Sequence, residues 1–103
     1  MIRTAVVLTL KPGALEEYVR YHDNLWPELA EAIRAAGIKQ ITTFQHDRQL
    51  FLYSEVEDDG AWQRLWETEI HRKWGEVMEP LLEWGADGKV KAEFPPRIFN
   101  FDA

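Results

Sequence analysis

The sequence predicts an α+β fold of the ferredoxin-like type: a βαββαβ chain whose four-stranded antiparallel sheet carries two helical segments on one face. Two observations lead there. Strand-like runs of Val, Ile, Thr, Leu and aromatic residues alternate with stretches of helical spacing, and the order strand–helix–strand occurs twice. The chain has 103 residues, room for one domain over positions 1–103 built on one core.

Ile2 to Leu10 is rich in β-formers and stops at Lys11-Pro12-Gly13, as a strand ending in a turn does. From Ala14 to Ala36 the spacing turns helical. Leu15, Tyr18, His22, Leu25, Trp26, Leu29 and Ile33 fall on one side, and charged residues such as Glu16, Arg20, Asp23 and Glu31 take much of the other. Pro27 has no amide proton, so the helix is expected to break near Asn24–Trp26 and restart at Pro27, with Gly37 as its C-terminal cap. Ile38–Gln45 and Leu50–Glu57 form two strands joined by His46-Asp47-Arg48-Gln49, an antiparallel hairpin. Asp58-Asp59-Gly60 opens a second helical region from Ala61 to about Leu82, with Trp62, Leu65, Trp66, Ile70, Trp74 and Met78 among its apolar positions. Beyond the Ala86–Lys89 loop and Pro95-Pro96, Arg97 to Phe101 is the expected last strand.

Helices on one face of a sheet leave the other bare. Val6, Leu8, Phe44, Phe51 and Tyr53 place more apolar bulk on the strands than two helices cover. At about 25 cal/mol per Å², several hundred Å² left in water costs on the order of 10 kcal/mol. The sheets of two chains are therefore expected to pack together as a homodimer.

Composition narrows the function. A 46% hydrophobic, 13% aromatic chain packs rather than remaining disordered. The absence of cysteine removes disulfides, thiolate metal sites and cysteine nucleophiles. Twelve basic against 18 acidic residues give a net charge of −6, which disfavours nucleic acid and anionic membranes as partners. The N-terminal apolar run is too short for a membrane span and shows no small-residue cleavage site, so a cytoplasmic location is expected. His22, His46 and His71 lack metal-ligand spacing, and Ser54 lies outside any G-x-S-x-G turn. The six glycines make no phosphate-cradling loop. His46 and His71 are expected at a solvated hairpin and on a helix surface.

His22 differs because of its place. Tyr18 and His22 stand four residues apart and stack on the apolar face of the first helix, and Trp26 continues that side. An imidazole, a phenol and an indole in one stripe make either ordinary core or a pocket wall. Asp23 points about 100° round the helix and is a poor candidate to orient His22. Five tryptophans exceed the needs of a small core, and flat apolar rings beside hydrogen-bonding groups suit the face of a sugar. Trp62 and Trp66 read as a core pair, while Trp74 suits a site if its helix faces the Tyr18–His22 stripe.

Met1-Ile2-Arg3, Glu17-Tyr18, His22 followed by Trp26-Pro27-Glu28-Leu29, and Thr68-Glu69 leading into Arg72-Lys73-Trp74 together resemble the L-rhamnose mutarotase family over nearly the full chain. The Tyr-x-x-x-His-x-x-x-Trp-Pro-Glu segment is the most specific part. The resemblance implies a dimeric α+β barrel that interconverts sugar anomers without a cofactor. It also implies His22 as proton donor and Tyr18 and Trp74 as sugar contacts; Trp26, continuing the same stripe, is expected to bind the sugar with them. Ile41 stands where the family has a sugar-contacting tyrosine, and Gly75 replaces the second residue of a Trp-Trp pair. The tail from Gly85 to Phe101 lacks the family's Asn-Pro-Asp-Asn-Ser-Pro run, and the Asp47–Phe51 hairpin resembles relatives linked to L-fucose.

On this reading His22 protonates the ring oxygen of a deoxyhexose, with L-rhamnose the first expectation, and takes the proton back on closure. The base is left open among water, a backbone carbonyl and a carboxylate. Three alternatives stand beside it: a mutarotase for L-fucose or another aldose, a non-catalytic dimeric sugar-binding module, and a cofactor-free monooxygenase on the same barrel.

Overall fold

A computed structural model describes all 103 residues. Strand β1 (Ile2–Thr9) leads into α1 (Leu15–Asp23) and α2 (Pro27–Ala36), then the hairpin β2 (Ile38–His46) and β3 (Gln49–Val56). Helices α3 (Ala61–Trp66) and α4 (Glu69–Met78), a 3₁₀ turn at Glu79–Leu81 and β4 (Ala92–Glu93) follow. The strands lie in the order β2-β3-β1-β4, and every neighbouring pair is antiparallel, as the ferredoxin-like reading requires.

The break at Pro27 falls as expected. Trp26 is extended (φ −62°, ψ 129°) and caps α2, whose first residue is the proline. Gly37 ends α2 in the left-handed region at φ 94°, its N–H reaching the carbonyls of Ile33 and Arg34. The guanidinium of Arg64 on α3 donates to the Ala36 carbonyl at 2.8 and 3.1 Å, fastening α3 to the C-terminal end of α2. The hairpin is tighter than expected, because His46 and Gln49 pair with each other and leave Asp47-Arg48 as the turn.

Two expectations need correction. The region Ala61–Leu82 is not one helix: it stops at Trp66 and restarts after Thr68, whose hydroxyl accepts the His71 N–H. That threonine is an ordinary N-cap, satisfying a donor that a helix start leaves open. The last strand is not Arg97–Phe101 but the two residues Ala92–Glu93, paired with Leu8 and Val7. Pro95 and Pro96 cannot donate to a ladder, so pairing stops ahead of them.

The register sorts the apolar strand residues onto two faces, since side chains alternate along a strand. Leu8, Leu50, Val56 and Ile38 point toward the helices, where they join Leu29, Leu65, Met78 and Leu81 in the core. Val6 and Leu8 therefore belong to the helix-covered face. On the opposite face Phe44, Phe51 and Val7 line up across three strands, with Phe44 63% and Phe51 38% exposed. Residues 94–103 have no regular structure; Pro95 to Asn100 lie near Arg3, Ala5 and Tyr53, and Arg3 forms an ion pair with Asp102.

Candidate functional site

Between the helices and the sheet lies a cavity of about 1470 Å³. The end of α1 projects into it. Tyr18 is 5% exposed, and its ring stacks on His22 with centroids 4.1 Å apart. The stacking follows from the four-residue spacing, which places the rings one above the other on the helix.

His22 is oriented by its own helix. Its Nδ1 lies 2.8 Å from the Tyr18 carbonyl oxygen, so Nδ1 carries the proton it donates there and Nε2 is the nitrogen left for a ligand. Burial pulls the His22 pKa below the ordinary histidine range; the Tyr18 carbonyl and nearby Asp23 push weakly the other way. At neutral pH the ring is therefore mostly uncharged. Burial also pushes the Tyr18 phenol up to about 12, which keeps it protonated and able to donate.

Helix α4 closes the other side. Trp74 is 8% exposed and meets the His22 ring edge-on at 5.2 Å. Trp26 and Tyr21 also abut Trp74 edge-on, at 5.1 and 6.2 Å, so three aromatic rings fix the indole. Tyr18, His22 and Trp74 all line the cavity. Trp26 does not reach its lining and instead backs Trp74. Ile41 is part of the wall.

Several lining residues were not anticipated as site residues. Ser54, 3% exposed on β3, shares a 2.8 Å hydroxyl contact with Thr4 and accepts the Trp62 indole N–H at 3.3 Å. His71, expected on the surface, is half-buried on the cavity side of α4, and Trp66, expected in the core, is 60% exposed and stacks on it. A sequence signal was present: His71, Gly75 and Glu79 recur every four residues on one flank of the helix. Nowhere do three His, Asp or Glu side chains converge in a way that could hold a metal ion. No helix is long and apolar enough to cross a membrane.

Residues 3–101 match the family model described as L-rhamnose mutarotase. The chain is 35% identical over 104 residues to an L-rhamnose mutarotase of Bacillus subtilis, covering 99% of this chain and all of the relative. It is 41% identical over 85 residues to one of Listeria monocytogenes, covering 81% and 82% of the two chains. The crystal structure of L-rhamnose mutarotase from Formosa agariphila superposes with a TM-score of 0.83 at 25% identity, over 99% of this chain and 100% of that one. With the predicted fold and the ring-lined cavity in place, this full-length agreement settles the family: the chain belongs to the L-rhamnose mutarotases, isomerases of the mutarotase type.

Proposed function

We propose that this chain interconverts the α and β anomers of a deoxyhexose, L-rhamnose foremost, by cofactor-free acid/base opening and closing of the pyranose ring. The observation that carries the reading is the bond from His22 Nδ1 to the Tyr18 carbonyl. It leaves a single imidazole nitrogen for proton transfer, on a ring that lines the cavity.

The protonated ring donates from Nε2 to the ring oxygen as the C1–O5 bond breaks, while a base removes the anomeric hydroxyl proton. Rotation about C1–C2 presents the other carbonyl face, and neutral Nε2 recovers the proton on closure. A positioned proton transfer of this kind contributes about 10²–10⁴-fold. Tyr18 donates a hydrogen bond to the sugar and Trp74 offers an apolar ring to its C–H face, supported from behind by Trp26. The depressed His22 pKa makes the imidazolium scarce at neutral pH but a stronger acid when formed.

Exchange NMR on L-rhamnose tests this directly. Anomeric exchange faster than in buffer supports the proposal; binding without faster exchange leaves a sugar-binding module. L-Fucose, run in parallel, decides the preferred deoxyhexose. With His22 as acid, kcat declines as pH rises through a midpoint below the ordinary histidine range. A rate that climbs through that midpoint would make His22 the base.

The Phe44–Phe51–Val7 row, with both phenylalanines exposed, supports a homodimer formed through the outer sheet face. Sedimentation should give twice the chain mass, and Phe51→Asp, which puts a charge in the middle of that row, should return it to one.

A further inference from the structure

Resting on the mutarotase reading, we infer that His71, Gly75 and Glu79 form a hydroxyl-binding subsite beside Trp74, so that the cavity also takes aldohexoses with one hydroxyl more than a 6-deoxyhexose. All three line the cavity from one flank of α4 and its 3₁₀ extension, where the backbone stays helical through Glu79. His71 and Glu79 lie eight residues apart, and the Glu79 carboxylate folds back one turn toward Gly75.

Between them the wall is missing. A Cβ built at Gly75 meets one atom within 4 Å, a carboxylate oxygen of Glu79 at 3.9 Å. A mid-helix glycine with ordinary backbone angles costs stability relative to alanine, and here nothing packs into the space it leaves. The result is a notch with a polar group at each end, next to the indole that touches His22. His71 is steadied by its stack on Trp66 at 6.0 Å, and burial holds its pKa below the ordinary range. A neutral imidazole both donates and accepts, and a carboxylate accepts only. Together they match the two-sided hydrogen bonding of sugar hydroxyls. Glu79 joins no ion pair within the chain, which leaves its carboxylate free for this use.

The test compares L-rhamnose with L-mannose, identical except for the hydroxyl on C6, by exchange NMR on the full chain. The wild-type protein should accelerate both. Glu79→Gln and His71→Phe should each lower the L-mannose to L-rhamnose ratio of kcat/KM about ten- to a hundredfold, the range for a hydrogen bond to a charged or well-placed polar group. Gly75→Ala should lower the same ratio while raising the thermal midpoint by about 4–8 °C, since alanine is the better helix former. A purely structural glycine would not couple those two changes. L-Mannose exchanging at the buffer rate while L-rhamnose is accelerated, or variants that leave the ratio intact, would overturn the subsite alone. Failure to accelerate either sugar would overturn the mutarotase reading and the subsite with it.

Discussion

His22 and His71 border one cavity from two helices and differ in what holds them. Desolvation lowers the pKa of both, so burial does not tell them apart. His22 has one nitrogen committed to the Tyr18 carbonyl at 2.8 Å, a tyrosine ring stacked at 4.1 Å and an indole edge at 5.2 Å. His71 has one flat neighbour at 6.0 Å, and that neighbour, Trp66, is 60% exposed. The first ring has a defined tautomer and direction; the second is held by a single, looser stack. Proton transfer needs the former, and adaptable hydroxyl binding tolerates the latter.

Replacing each imidazole in turn breaks the comparison most sharply. His22→Gln should cut kcat for L-rhamnose by about 10²–10⁴ with its circular dichroism spectrum unchanged. His71→Gln should reduce the same kcat by less than about tenfold. Equal losses would end the distinction. Trp74 is the shared neighbour of His22, Trp26 and Tyr21. Trp74→Ala should cost about 3–5 kcal/mol of stability in a urea titration, since a large buried ring leaves a hole that the stacked helices cannot close.

The smallest effect is shared by both histidines. Their folded pKa values lie below the unfolded one near 6.5, so between those values the unfolded chain binds more protons. Their contribution to stability is complete above about 6.5 and is lost as pH falls through the folded values. The urea midpoint should drop on acidification from about pH 7 to about pH 5. The His22→Gln/His71→Gln double variant should flatten that slope.

Local chemistry was readable before the fold. Pro27 and Gly37 announced the ends of α2, and the Tyr18–His22 spacing announced the stack, because each depends on residues within one or two turns. The restart at Thr68 was marked only by a threonine between two glutamates, in a stretch whose tryptophans keep helical spacing, a weak stop without glycine or proline. β4 escaped because Ala92–Glu93 is a strand only through its partner β1, and two residues carry no period. The meeting of Trp74 with His22 joins positions 52 residues apart, a distance that no local pattern encodes. The shared flank of His71, Gly75 and Glu79 is legible in their four-residue spacing, but its facing inward is not, because only the packed sheet and helices leave a hollow there.

The clamp on His22 is closed by a carbonyl one turn earlier in the same helix. Its aim is consequently inherited from nine residues of α1 rather than from the mutual settling of layers. A displacement of the facing helix would leave that bearing intact, because both of its fixed points lie on α1.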